Sequence, residues 1–295
     1  MSKIFNLGSL NLDHVYRVQR FVQPGETLFV DEYQRHLGGK GFNHSAAIAK
    51  AGTKVVHIGA CPSSDLATFQ AVATNNLEWH IQESVTPSGH AIIQVNAEGE
   101  NQILLYPGAN QELTLDHLRQ LESGVRVPQA GDWFLTQNET NLVPEALAWA
   151  KEKGLSTAYA AAPFDPLAIK AVINKIDVMA LNAIEAEQLE ASLQTSIESI
   201  GIPLVIITKG ADGVSVWHHQ ENREFAAFHV DNVVDTTGAG DCFFGSFLAH
   251  FATNTHLANA IGFAQAAAAL SVSKTGAAGS YADQQEVEAF LNGQD

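Results

Sequence analysis

The chain has 295 residues, 46% of them hydrophobic, with 32 Asp and Glu against 16 Lys and Arg, a formal net charge of −16. A field of that sign disfavours nucleic acid and membrane surfaces as partners, and any nucleotide site must bring its own local donors and a cation. No apolar run reaches the roughly 18–20 residues that span a bilayer, the start MSKIFNLGSLNLD is no secretory signal, and Cys61 and Cys242 stand in no metal or disulfide spacing, so a cytoplasmic protein is expected.

In chain order, Ile4–Leu10 is a short apolar run that predicts a buried strand. Thr27–His36 has β character without a helix beside it. Phe42–Ala51 has helical periodicity, and Lys54–Ala60 is again strand-like. Gly89–Tyr106 predicts a hairpin, with AEGEN (Ala97–Asn101) as the turn between two strand-like runs. Strands are then expected at Trp133–Gln137, Ser156–Ala160, Val178–Leu181 and Leu204–Thr208, with helices at Leu142–Lys153 and Leu167–Ile173. Beyond Asp235 the pattern turns helical, over Ala239–Ala252, His256–Ser273 and Asp283–Asn292. Alternation of this kind argues for a mostly parallel sheet covered on both faces. No repeat or linker interrupts it. The expectation is a single α/β domain over residues 1–295, with a small β lid from segments about 12–36 and 88–110.

The segment with the most chemistry is VDTTGAGDCFFGSFL (Val234–Leu248). A strand end runs into Gly238-Ala239-Gly240 and then into a long amphipathic stretch. Small residues at a helix N-terminus expose backbone N–H groups where the helix dipole is positive, a turn that binds phosphate without a lysine. Asp241, in the first turn, is placed to accept a proton from a substrate hydroxyl. The dinucleotide pattern GxGxxG fails, because Phe243 occupies its third glycine position. No Gly-Lys-Ser/Thr follows, so this is not a Walker A loop. A structural turn with Asp241 as a cap is the plain alternative.

DTTGAGD closely resembles the C-terminal signature of the ribokinase (PfkB) family of carbohydrate kinases, and LGGKGFNHSAAIAKAG (Leu37–Gly52) resembles its N-terminal one. The likeness runs from Asn6 to about Leu291 and takes in GSLNLDH, PGET and SGHAIIQVNAEGENQILLYPGAN. It implies a three-layer α/β/α fold with a mostly parallel central sheet and a β-sheet lid. It also implies transfer of the ATP γ-phosphate to a primary hydroxyl of a free sugar, with D-ribose the leading case.

Carried over by position, the resemblance makes Asp241 the base and the amides of Gly238, Ala239 and Gly240 the anion hole. Asn11, Asp13, Gly39, Lys40, Asn43 and Glu139 (in TQNET) would hold the sugar. Asn182 and Glu185, an NxxE motif, would organise ATP and Mg²⁺ through water. Thr208, Lys209, Gly210 and Gly213 (ITKGADG) match the nucleotide-side loop. Asp235, Thr237, Ser271, Gly276 and Ser280 match the positions around a monovalent cation, K⁺. Taken singly, Asn11, Asp13 and Asn43 read equally well as turn or helix-start residues, Glu185 as a solvated helix start, and Lys209 as an exposed lysine.

Two positions depart from the family. Phe42 stands where Ala is usual, and CPSSD (Cys61–Asp65) replaces a Gly-Asp-rich turn. A sugar phosphate would need Arg or Lys to pair its dianion, yet none occurs from Val55 through Leu118; Arg17, Arg20 and Arg35 precede that span. A free sugar is therefore favoured. A nucleoside ranks second, with Phe42 and Tyr106 as a stacking face, since core packing explains Phe42 equally well. A non-catalytic sugar or nucleotide sensor is the rival of another class. The apolar stripe Ala91-Ile93-Val95 needs cover, so the lid is expected to pair in a homodimer, as the resemblance also implies.

Overall fold

In the computed structural model, which describes residues 2–219, 221–253 and 256–293, the chain alternates as its periodicity predicts. The elements are β1 (Ile4–Leu7), β2 (Asn11–Arg17), β3 (Glu32–Gly38), α1 (Lys40–Lys50), β4 (Val55–Cys61), α2 (Ser63–Gln70), β5 (Leu77–Glu83), β6 (Gly89–Val95) and β7 (Asn101–Tyr106). They continue with α3 (Leu115–Arg119), β8 (Trp133–Gln137), α4 (Val143–Glu152), β9 (Ser156–Ala160), α5 (Pro166–Val172), β10 (Val178–Asn182) and α6 (Ala183–Leu193). The last are β11 (Leu204–Thr208), β12 (Val214–His218), β13 (Glu221–Phe225), α7 (Ala239–Phe251), α8 (Leu257–Ser271) and α9 (Gln284–Asn292).

Nine strands form one sheet in the order β13-β12-β11-β10-β9-β8-β1-β4-β5. Pairing is parallel from β5 through to β11, and only β12 and β13 join antiparallel. Strands buried on both faces read as continuous apolar runs, which is why β4 (VVHIGAC) is buried along its whole length. Side chains alternate across the sheet. Ile4 packs into the core layer under α1, α7 and α8 with Phe244, Phe247 and Ile261. Its neighbour Phe5 enters the layer under α4, α5 and α6 with Leu147, Ile169 and Leu189. This is the expected three-layer arrangement.

A second sheet of four strands, in the order β3-β2-β6-β7, stands apart from the first. Asn11 pairs with both Gly38 and Gly89, so three distant segments meet at its base. The expected hairpin is present, running from His90 opposite Tyr106 to Val95 opposite Asn101. Four differences from the sequence reading have local causes. The run Ile4–Leu10 is broken at Gly8, and a new strand, β2, leaves for the small sheet. The β character of Thr27–His36 is realised only from Glu32, and the strand runs on to Gly38, two residues beyond the expected end. CPSSD is the end of β4 and the start of α2, with Pro62 at the cap position, rather than a turn. Finally β5, too polar to read as a buried strand, forms the edge of the main sheet beside β4.

No helix among the described residues is long and apolar enough to cross a membrane.

Candidate active site

Open parallel sheets present their ligand-binding loops at the carboxyl ends of the strands. Most of the candidate residues leave the main sheet at that edge. β1 runs into Ser9 and the start of β2, β8 into Glu139, β10 into Asn182 and β11 into Thr208.

The Gly238-Ala239-Gly240 turn and the Leu37–Gly52 segment, far apart in the chain, meet at one carboxylate. Asp241 lies in the first turn of α7 with its side chain 12% exposed. Its Oδ2 accepts a hydrogen bond from Asn43 Nδ2 at 2.8 Å. Lys40 Nζ stands 3.7 Å from Oδ1 and His44 Nε2 3.8 Å from the same oxygen. The Asp241 charge holds the Lys40 ammonium above its usual range, with Glu139 and Glu185 adding to the effect. Burial pushes the His44 imidazole down, so at neutral pH it stands beside the carboxylate uncharged.

Glu139 faces the same space. It accepts the Lys40 backbone N–H at 2.8 Å and a short hydrogen bond from the Ser9 hydroxyl. Asp13, on β2, has its carboxyl pushed up to about 6, first by burial and then by the nearby Glu139 charge. Asn11 accepts from Asn110 Nδ2 at 2.7 Å, and Asn110 in turn accepts the Leu10 N–H at 2.9 Å. Three acids (Asp13, Glu139 and Asp241), three amides (Asn11, Asn43 and Asn110) and Lys40 thus gather where the small sheet joins the main body. Gly39, the residue before α1, turns the chain there.

α7 starts at Gly238, whose φ of +73° is a left-handed conformation that glycine adopts without cost. A side chain there would also meet Ala277 Cβ and the Tyr281 hydroxyl at 2.7 Å. Tyr281 donates to the Gly238 carbonyl at 2.9 Å, fixing the turn from behind. The Ala239 N–H donates to the Thr236 carbonyl at 3.2 Å, closing the turn on itself. From Gly240 a cavity of about 770 Å³ extends past Phe243 and Phe228 to Thr208, Gly210 and Gly213. The ITKGADG loop and the Gly238–Gly240 turn therefore line one space.

The remaining candidates are placed differently. Asn182 and Glu185 form a capping box on α6: the Asn182 N–H donates to Glu185 Oε2 at 2.8 Å and the Glu185 N–H to Asn182 Oδ1 at 2.9 Å. Lys209 pairs with Glu224 at 2.9 Å. Asp235 accepts from the Thr237 and Gly276 N–H groups, each at 2.9 Å. Burial acts against its charge, but those hydrogen bonds outweigh it and the carboxyl sits below its ordinary range. The hydroxyls of Ser271 and Ser280 turn back to the carbonyls of Ala268 and Ala277. Among the described residues no three His, Cys, Asp or Glu side chains cluster as a metal cage.

Of the two readings of Phe42, core packing is the one the structure shows. It is 1% exposed and packs against Phe69 and Trp79, with ring centroids 5.0 and 6.3 Å away. Tyr106 packs on His90 within the small sheet. Cys242 is a buried filler whose thiol is pushed up to about 12 by burial. Sequence reasoning missed Ser9, His44, Asn110 and Tyr281. Ser9 and Asn110 lie inside quoted motifs (GSLNLDH and YPGAN), but Tyr281 carries no local signal at all.

The family model for pfkB family carbohydrate kinases matches residues 1–284. A ribokinase from Haemophilus influenzae is 36% identical over 97% of both chains. The solved structure of a ribokinase from Thermotoga maritima superposes with a TM-score of 0.84, at 29% identity, over 99% of this chain and 100% of that one. A nucleoside kinase from Burkholderia thailandensis, solved in complex with inosine, shares the fold at a TM-score of 0.82 and 19% identity, covering 99% and 97%.

Proposed function

The chain belongs to the pfkB family of carbohydrate kinases, and we propose that within it the protein transfers the γ-phosphate of ATP to a primary hydroxyl of a free sugar, D-ribose giving ribose 5-phosphate as the first case. The observation that carries this reading is the Asp241 carboxylate, shared by Asn43 and Lys40 on one side and the start of α7 on the other. In the step, the sugar oxygen attacks the γ-phosphorus and its proton passes to Asp241. The bond to the β–γ bridging oxygen breaks, and ADP leaves with that electron pair. Charge developing on the transferred group is met by Lys40 and by the positive N-terminal end of α7.

Mg²⁺, when bound, would offset the triphosphate charge. Glu185 is fitted to hold it through water, since Oε2 closes the capping box and, among the described residues, Oε1 has no hydrogen-bond partner. K⁺ suits the all-oxygen set of Asp235 and the carbonyls near Thr237, Ser271, Gly276 and Ser280. The charge retained on Asp235 supports that placement.

Two observations favour a free sugar. Of the three arginines that precede Val55, Arg17 and Arg20 are paired with Glu32 and Glu26, which leaves Arg35 alone outside an ion pair among the described residues. The burial of Phe42 takes away one of the two aromatic residues, Phe42 and Tyr106, that would stack on a base. The small sheet would close as a lid. Its outer strand leaves Ile103, Leu104 and Leu105 exposed, and we place a second copy of the chain against it.

ADP release measured against pentoses, hexoses, nucleosides and sugar phosphates, with Mg²⁺ and with or without K⁺, tests the reading. Ribose is expected to give the highest kcat/KM, K⁺ to raise it, and the active species to sediment as a dimer. Turnover with nucleosides alone would redraw the pocket; silence across the panel would favour the sensor.

Asp13 adds a pH signature. As a carboxylate above about pH 6 it accepts hydrogen bonds from sugar hydroxyls, and as it protonates below that pH the sugar KM should rise. A carboxyl whose pKa is raised on folding costs stability above its unfolded value, and that cost disappears at acid pH. Asp13→Asn should therefore raise the unfolding midpoint near neutral pH, lose that gain toward about pH 4, and show a high sugar KM that no longer varies with pH. A parental pH profile in the variant would exclude Asp13 from sugar binding.

A further inference from the structure

A second cavity, separate from the one along the nucleotide-side loop, lies between β3, α1, the end of α2 and the turn Thr275–Gly279. Its volume is about 370 Å³, room for roughly a dozen non-hydrogen atoms at ~30 Å³ each. Leu37, Phe42, Ala46, Ala73 and Leu77 make its walls apolar. Its charged lining is of one sign: Arg35 at the mouth and Lys50 inside, with His36 beside them and no Asp or Glu. That is unexpected in a chain whose acids outnumber its bases 32 to 16.

Neither Arg35 nor Lys50 makes an ion pair among the described residues. The half-buried Lys50 ammonium donates to the Tyr281 carbonyl at 2.5 Å. Burial lowers its pKa, while Glu286 and Asp283 act on it only through space. A partly desolvated cation without a contact counterion favours an incoming anion.

The same wall supports the anion-binding turn. Lys50 holds the Tyr281 carbonyl, and the Tyr281 hydroxyl holds the Gly238 carbonyl. Ala277, which lines the cavity, is also the residue against which Gly238 packs.

We propose that this cavity is a regulatory site for a small organic anion, an anionic head on an apolar body, and that Lys50, Tyr281 and Ala277 transmit its occupancy to the Gly238–Gly240 turn. The head competes with the Tyr281 carbonyl for the Lys50 ammonium, which slackens the hold on Gly238. The ligand then lowers kcat and leaves the KM of both substrates unchanged. Only this second half rests on the turn being catalytic; binding does not.

The test is calorimetric titration of the ADP-saturated full chain, so that the nucleotide cavity is already filled. Phenyl phosphate and benzoate are the two anionic probes, and benzyl alcohol and inorganic phosphate are the controls for body and head alone. At least one anion should bind about tenfold or more tighter than either control, and the two arms identify the preferred head. Ala73→Phe, which fills the cavity from a wall remote from the catalytic cluster, should abolish binding and leave kcat intact. Lys50→Met should weaken binding by about tenfold or more. No binding of either anion below about 10 mM, or undiminished binding in both variants, would overturn the site. Binding with no change in kcat would overturn its coupling to the turn. An enzyme inactive on every sugar leaves the calorimetry interpretable, so failure of the kinase reading and failure of this site are distinguishable.

Discussion

Asp241→Asn is expected to lower kcat by about 10²–10⁴-fold, the usual range for loss of a general base, while ADP binding stays within about twofold of the parent. The substitution keeps the side chain's shape, so Asn43 Nδ2, now 2.8 Å from a carboxylate oxygen, still finds an acceptor. What is lost is the carboxylate proposed to take the sugar hydroxyl's proton. The cavity from Gly240 to the Thr208 and Gly213 end is untouched, so a nucleotide bound there, as proposed, would keep its contacts. One side effect follows from the electrostatics. The Asp241 charge is the largest influence holding Lys40 protonated, so in the variant burial acts on that ammonium with less opposition. Single-turnover ADP release together with an ADP titration separates the two quantities. A variant that turned over near the parental rate would remove Asp241 from the role of base.

Gly41→Ala is expected to destabilise the fold by about 3 kcal/mol or prevent folding, at the upper end of what overpacking costs. A Cβ at this position would stand 2.2 Å from the Ser9 nitrogen and 2.4 Å from the Gly8 Cα and carbonyl carbon, all of them backbone. No flexible side chain can yield there, so α1 would have to move off the end of β1. The movement breaks a ring of contacts: Asn6 Nδ2 to the Gly41 carbonyl at 2.7 Å, the Gly41 N–H to Ser9 Oγ at 3.2 Å, and the Phe42 N–H to the Ser9 carbonyl at 3.0 Å. Whatever folded should turn over slowly, because Lys40 and Asn43 ride on the same turns of α1, and a displacement of about 1 Å can cost on the order of 10²-fold. Denaturant midpoints and kcat are the readouts. An unchanged midpoint would mean that the approach of the two segments relaxes freely.

The shared cause of both effects is that GSLNLDH and LGGKGFN are built to touch. As text, the two segments are separate glycine-bearing stretches, each readable as a turn. In the folded chain Ser9 accepts from Gly41 and donates to Glu139, while Glu139 accepts from Lys40. Their glycines are therefore explained by one backbone crossing. Phe42 shows the reverse case. Its departure from the family pattern suggested an altered pocket edge, yet Lys40 and Asn43, three residues apart, share one face of α1, and Phe42 between them points to another. Asn43 faces Asp241, while Phe42 faces Phe69 and Trp79.

Local pattern was enough for the parallel core and for the glycine turn that opens α7. Buried strands such as Trp133–Gln137, Ser156–Ala160 and Leu204–Thr208 are short, mainly apolar runs, and those bounds are unchanged in the structure. The Gly-Ala-Gly turn is likewise legible, because a helix start that must expose amides admits few residues. Edges and returns were harder. β2, β5 and the β12–β13 hairpin are half-polar or exposed, so their period is weak, and β2 becomes a strand only because β3 and β6 flank it. Nothing in the sequence near Tyr281 shows that its hydroxyl reaches Gly238, or that its carbonyl takes Lys50. The sequence by itself determined which residues are able to bind phosphate, accept a proton or hold a sugar, since those are properties of side chains and of short backbone runs. Which of them share a carboxylate, and which lysine is left in a cavity without a countercharge, was decided only by tertiary structure, because desolvation and through-space charge depend on neighbours that the chain brings from more than a hundred residues away.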